Sequence, residues 1–269
     1  MAKIRTKNNK LEKILPKIES IVLINKIMKS PPYFFNGKDL PNLFCKERDI
    51  DRLPLNETSK EYMFFDKISQ KFKKNKIGVK DSISSKENIS DFIKKTRKKD
   101  ILFVFKNKKI VGVIHFSDLI SSIGYIYFYT MINLFETALR KKLVLQKNNN
   151  EDFLKYLQKK GIENKTKIER YEEHFEKENL PPFQQLEFLD LIKFADNKKI
   201  IYFGKISNKK IKEKINCLRL FRNNIMHNKD MFSRQNEDFL ANEMLYKRED
   251  YDKFLEAYDI INKFIKELD

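Results

Sequence analysis

Apolar residues recur at helical spacing near the start of the chain, at Leu11, Ile14, Leu15, Ile18, Ile21 and Val22. This predicts a basic amphipathic helix over roughly residues 1–30. Pro16 is expected to kink or restart it. Asn25 falls where the next apolar residue is due, although Ile24, Ile27 and Met28 keep the segment apolar. Pro31-Pro32 breaks the pattern and Asn36-Gly37 marks a turn. Between Asp39 and Lys76 only short mixed segments of weak periodicity are found, and residues 1–75 have no legible fold. A clearer unit follows over 76–122. Ser84-Ser85 offers an N-cap for a helix near Lys86–Lys99 whose apolar face is Ile89, Phe92 and Ile93. The apolar runs Ile101–Phe105 and Ile110–Ile114, separated by Lys106-Asn107-Lys108-Lys109, predict a hairpin. Ser117-Asp118-Leu119 then opens another helix.

From about Gly124 no strand is expected. A long helix is predicted near Tyr125–Leu145, with apolar faces supplied by Tyr129, Ile132, Leu134, Phe135, Ala138 and Leu139. Asn148-Asn149-Asn150 ends it, and Glu151-Asp152 suits the positive N-terminus of the next helix. Further helices are predicted near Lys165–Lys177, Gln184–Ala195, Lys209–Phe221 and Arg248–Leu268. Short links between helices of this size imply an up-and-down bundle over 123–269. The expected fold class is α+β: a small α/β unit followed by an all-α bundle.

Composition narrows the choice of partners. The hydrophobic fraction is 41% and the aromatic fraction 13%, values suited to folded domains. The formal net charge of +18 favours polyanions, nucleic acid before anionic membrane. Much of the lysine excess also fits plain solvated surface. The two cysteines, Cys45 and Cys217, lie far apart without metal-ligand spacing and fit a reducing compartment. The basic start leads into no apolar core with a cleavage site, so no secretory signal is expected. The longest apolar run, Ile120 to Leu134, is interrupted and too short to span a bilayer. A cytoplasmic protein without membrane association is the expectation.

Three histidines occur, His115, His174 and His227. His227 closes Arg222-Asn223-Asn224-Ile225-Met226-His227, which sets a guanidinium near an imidazole, with two amides between, at the end of a basic helix. Such a pair suits chemistry on a phosphodiester: the imidazole moves a proton and the arginine holds developing charge. The same residues also suit a helix C-terminus finished by asparagine, with the histidine satisfying the last carbonyls. Lys205, Lys209, Lys210, Lys212, Lys214 and Arg219 cluster just before the motif and can contact an RNA backbone. Glu136 and Arg140, at i,i+4, read either as a surface ion pair or as lining of a cleft. His174 sits on a charged, solvated face. There is no phosphate-binding glycine loop, no G-x-S-x-G, no C-x-x-C and no metal-ligand cluster in the sequence.

Leu218-Arg219-Leu220-Phe221-Arg222-Asn223-Asn224-Ile225-Met226-His227 resembles the R-x4–6-H signature of HEPN ribonucleases. The polar residue directly after the arginine matches as well. Phe135-Glu136-Thr137-Ala138-Leu139-Arg140 and Leu186-Glu187-Phe188-Leu189-Asp190-Leu191-Ile192 look like segments of Abi-like HEPN proteins. The resemblance covers about residues 124–267. It implies RNA cleavage without a required cofactor or metal, by 2′-OH attack leaving a 2′,3′-cyclic phosphate. His227 would be general acid or base, Arg222 the charge stabiliser and Asn223 an orienting amide. It further implies a homodimer with a composite site, and a role in bacterial phage defence or toxin–antitoxin biology with an antitoxin or regulatory partner. Gly112-Val113-Ile114-His115-Phe116-Ser117-Asp118 more weakly resembles a CBS module, whose G-x-x-T-x-x-D pattern binds adenine nucleotides. Gly112 and Asp118 match, while His115 replaces the hydroxyl residue. That likeness implies an adenine nucleotide as regulator. The alternative from another class is an inactive HEPN/CBS scaffold that binds RNA, nucleotide or a protein partner.

Overall fold

The computed structural model describes residues 22–28, 34–35, 52–66, 68–69, 71–161, 164–177, 180–204, 206–227, 229, 233–234, 245–246 and 248–267. They are mixed α and β and form two compact units. One holds the described residues of Phe128–Lys229 and those from Glu256 onward; the other holds those up to Tyr127 together with those of Asp230–Leu255. The amphipathic helix expected over residues 1–30 lies outside the described residues except at its end. There a four-residue helix, α1 (Ile24–Ile27), buries Ile24 and Ile27.

The unit up to Tyr127 contains two three-stranded sheets. Strands β1 (Arg52–Pro54), β2 (Glu61–Asp66) and β3 (Lys71–Lys76) form an antiparallel meander. It falls where the sequence showed no period, because β3 reads Lys-Phe-Lys-Lys-Asn-Lys and carries one apolar residue. Cross-strand ion pairs, Lys73 with Asp66 and Lys74 with Glu61, tie it to β2. Its lysines also discourage pairing along the open edge.

The second sheet sets β4 (Ser82–Ser84) parallel to β5 (Ile101–Lys106), and β5 antiparallel to β6 (Lys109–His115). The hairpin is as expected. Asn107 (φ 51) and Lys108 (φ 66) make its two-residue turn in the left-handed conformation that matches strand twist. Helix α2 (Ile89–Thr96) links β4 to β5 and is shorter than predicted. Its cap is Asn88, whose Oδ1 accepts the Asp91 N–H at 2.9 Å. Ser84 and Ser85 do not cap it, since the helix starts only at Ile89, while Ser84 ends β4 and the Ser85 N–H continues the sheet by bonding the Phe105 carbonyl. Beyond β6 the expected helix at Ser117 is a 3₁₀ turn, Phe116–Ile120. A Cβ on Gly124 would stand 2.1 Å from the Leu119 carbonyl oxygen, so only glycine lets the next helix start there.

Against the prediction of no later strands, β7 (Ser233–Arg234) pairs with β8 (Leu245–Tyr246), each only two residues long. Such short bridges leave no periodic signal. In this same unit Arg248 donates to the Thr96 carbonyl at 2.9 Å, the Arg97 carbonyl and Asp100 Oδ1 at 2.7 Å. A cation there satisfies the last carbonyls of α2 and complements its dipole. Buried Thr96 also shares a hydrogen bond with Tyr251.

The helical unit comprises α3 (Ser122–Leu145, from Phe128), α4 (Asn150–Gln158), α5 (Lys165–Lys177), α6 (Phe188–Asn197), α7 (Asn208–Met226) and α8 (Arg248–Lys266, from Glu256). The predicted helices are all present, with α6 starting later and α7 ending later than expected. Asn149 and Asp152 form a reciprocal capping box at α4, at 2.9 and 3.0 Å. Met131, Phe135, Leu139 and Leu143 repeat every fourth residue along α3 and are buried. Phe135 meets Phe264 of α8 edge-on at 5.2 Å, and Phe153 meets Tyr171 and Phe194 at 5.2 and 5.4 Å.

Asp190 is a buried carboxylate on α6, 3% exposed. Lys167 Nζ lies 2.6 Å from Oδ1, and the Tyr171 hydroxyl donates to Oδ2 at 2.8 Å. Burial pushes the Tyr171 hydroxyl well above its ordinary range, so it stays a donor. Replacing Asp190 with alanine strands both partners. Asp190→Ala is expected to cost about 3–5 kcal/mol in denaturant unfolding, and Asp190→Asn less.

Two carboxyls in the sheet unit make stability pH-dependent. Hydrogen bonds from Lys73 and then Ser69 hold Asp66 well below the carboxylate range. Burial pushes Asp81 up, but the Lys99 ammonium at 2.8 Å and the Gly78 N–H outweigh it, and its pKa is lowered. A depressed folded-state value adds stability above the unfolded-state pKa, which disappears as pH falls through the folded value. Thermal melting followed by circular dichroism should therefore weaken between about pH 4 and 2. Asp81→Asn should lower melting at neutral pH and flatten that acid decline.

Candidate active site on the last turn of α7

The expectation that α7 ends at Phe221, with Asn223-Asn224 leaving the helix, is corrected. The helix runs to Met226 because Ile225 extends the buried row Leu218, Phe221, Ile225. Burying an isoleucine is worth about 1.5–3 kcal/mol. Two asparagines in a helix cost up to about 0.7 kcal/mol each. Burial wins, and the motif stays on the last turn. His227 is the C-cap: its N–H bonds the Asn223 carbonyl at 3.1 Å, and the Lys229 N–H bonds the Asn224 carbonyl at 2.8 Å. These main-chain groups close the helix, and the His227 side chain is exposed.

Arg222 is held differently. Its side chain is 30% exposed, and its Nε lies 3.8 Å from Glu136 Oε1 on α3. The guanidinium also sits over the Phe188 ring of α6, 5.9 Å from the centroid. Glu136 Oε2 accepts from Arg140 Nη2 at 3.0 Å, and Arg140 Nε donates to the Phe183 carbonyl at 3.0 Å. Phe183 itself is fully buried at φ 66, with its N–H bound to Asn150 Oδ1. One carboxylate thus lies between two guanidiniums, leaving one net positive charge. Arg222 Nε and Glu136 Oε1 are both buried without a hydrogen-bond partner. Their separation exceeds hydrogen-bond reach, so the pair attracts through charge alone.

The remaining predicted residues divide clearly. Asn223 lies between Arg222 and His227 and is half-buried. Lys209, Lys210 and Lys212 are exposed along the start of α7. Lys214 is instead bound to Glu256 Oε1 at 2.8 Å. Arg219 folds back on its own helix, donating twice to Asn216 Oδ1. Lys205 and Cys45 lie outside the described residues. His174 is exposed, as expected for a solvated face. In the α/β unit Gly112 is buried in β6 opposite Val104. Asp118 Oδ2 accepts the His115 N–H at 2.8 Å, and the Ser117 N–H reaches the His115 ring nitrogen at 3.1 Å. The Asp118 carboxylate, matched to the CBS pattern in the sequence, is part of a turn cap.

Sequence reading missed Phe188 and Phe183, though Phe188 lies inside a segment already singled out. Among the described residues no group of acidic, histidine or cysteine side chains could hold a metal ion, and no helix is long and apolar enough to cross a membrane. No protein-family model matches the chain, and no curated protein or solved structure shows significant similarity to it.

Removing Glu136 leaves Arg140 and Arg222 facing each other across a partly buried gap. Glu136→Ala is expected to lose about 1–3 kcal/mol in denaturant unfolding. A double-mutant cycle with Arg222→Ala should give a coupling of about 0.5 kcal/mol or more. Strict additivity would show that the 3.8 Å pair contributes nothing.

Proposed function

We propose that the helical unit is an endoribonuclease of HEPN type, acting in bacterial defence or toxin–antitoxin function. The observation that carries this reading is the pairing of opposite properties on one helix end. Arg222 is anchored by Glu136 and Phe188, whereas the His227 imidazole, just beyond it, is exposed to an incoming substrate. A phosphodiester reaction needs both: a cation that does not move as charge develops, and a proton carrier that substrate can reach. The net charge of +18 supplies the attraction to a polyanion.

In the proposed reaction, His227 takes the proton of an RNA 2′-OH. The O2′–P bond forms and the P–O5′ bond breaks, with the pair of electrons leaving on O5′. That oxygen takes a proton from an imidazolium, and the products are a 2′,3′-cyclic phosphate and a 5′-OH end. Arg222 neutralises charge on the non-bridging oxygens. Two copies of the chain would each bring one Arg222–His227 pair to a shared cleft, one imidazole acting as base and the other as acid. DNA lacks the nucleophile and would not be cut.

A second reading has its own observation. Half-buried Arg222 opposite a carboxylate is also what a structural ion pair looks like, and a scaffold that binds RNA or a protein would keep it. Cleavage decides between them. The purified protein in EDTA should cut structured RNA into fragments with cyclic-phosphate ends and leave DNA intact. His227→Ala and Arg222→Ala should each lower the rate by about a hundredfold or more. Equal cleavage by all three proteins, or none by wild type, would remove the nuclease reading and leave the scaffold.

A further inference from the structure

The helical unit also contains a cavity of about 260 Å³ that neither Arg222 nor His227 lines. One wall is the segment after α6, with Ile201, Tyr202 and Gly204; the other is α8, with Ile260, Lys263 and Phe264. Ile201 and Phe264 are buried and form an apolar floor, while Tyr202 at the rim is 68% exposed. Gly204 has φ +87, and nothing lies within 4 Å of where its Cβ would be, so the backbone leaves the rim open. Lys263 is largely solvent-exposed and forms an i,i+4 ion pair with Glu267 at 3.7 Å, a separation longer than a hydrogen bond. Asp259 and Glu267 add carboxylates to the lining.

We infer that this cavity binds one unstacked, amino-bearing base of single-stranded RNA, stacked on Tyr202 with its phosphate toward Lys263. An exposed aromatic ring beside cations is the combination that takes single-stranded nucleic acid, because every base has a face to stack and a phosphate to neutralise. The base must leave a duplex to enter a concave site, which excludes double-stranded RNA. Carboxylates only accept hydrogen bonds, so Glu267 favours bases that carry an exocyclic amino group, as adenine and cytosine do, over uracil, whose one base donor is its ring N3–H. Lys209, Lys210 and Lys212 are exposed on α7, the helix whose Lys214 also lines the cavity.

This inference rests on RNA being the ligand of the helical unit, and it deepens that reading by naming a specificity subsite. Lys214, which lines the cavity, and Arg222 share one helix and lie about 12 Å apart along its axis at 1.5 Å per residue. A base held here would register the strand a short distance from the bond that is cut.

The test uses the full chain carrying His227→Ala, so that RNA stays intact, with short fluorescent oligoadenylate, oligocytidylate and oligouridylate followed by anisotropy. Oligoadenylate and oligocytidylate should bind more tightly than oligouridylate or a duplex. Tyr202→Ala should weaken oligoadenylate binding about tenfold or more, and Tyr202→Phe, which keeps the stacking face, should restore it. Lys263→Glu should weaken all three oligonucleotides. Tyr202 and Lys263 are exposed, so these changes leave the core intact; unchanged circular dichroism would verify that. Unchanged affinity in both Tyr202→Ala and Lys263→Glu, or equal binding of duplex, would overturn the proposal. Its failure is separable from that of the nuclease. Tyr202-dependent binding without cleavage by wild type removes only the nuclease. Cleavage whose positions and affinity ignore Tyr202→Ala removes only the base site.

Discussion

The helical unit is organised around one carboxylate. Glu136, 12% exposed on α3, bonds Arg140 on its own helix and faces Arg222 on α7. Arg140 in turn holds the Phe183 carbonyl, which fixes a left-handed residue in the segment leading to α6. A charge this far out of water is tolerated only when paired. Here the pairing obliges the motif arginine, the long helix and the approach to α6 to take up one arrangement. The orientation of Arg222 is therefore set from outside its own helix, which is what a fixed electrostatic centre requires.

Around that constraint, apolar burial decides where elements stop. Ile225 carries α7 past two asparagines that would otherwise end it, and so brings His227 to the helix terminus. The imidazole is left exposed because main-chain groups already close the helix. The sheet unit shows the converse case. There Arg248 donates to the last carbonyls of α2, across a sequence distance that no local rule could span.

Charge divides into committed and available parts in a way that composition alone conceals. Lys214, Arg219, Lys73, Lys74 and Arg248 all have partners, several of them inside their own unit's folded framework. Lys209, Lys210 and Lys212 stand in solvent along the first turns of α7. The 56 lysines and arginines therefore overstate the cations that a polyanion meets unpaired.

The sequence by itself determined the hairpin, the helix α2 with its apolar face, and the helices of the second half, because each is encoded by a local period of two or near four residues. It also singled out Arg222, His227, Glu136 and Arg140 by type and spacing. It did not show the meander, whose third strand has almost no apolar residues and exists through pairing with β2. Nor did it show the cap at Asn88, since Ser84 and Ser85 look equally suitable until the sheet claims them. Which carboxylate meets Arg222, that Phe188 lies beneath it, and that a cavity opens between α8 and the segment after α6 were decided only by tertiary structure. Those relations join residues far apart in the chain, and packing and charge pairing specify them where local propensity is silent.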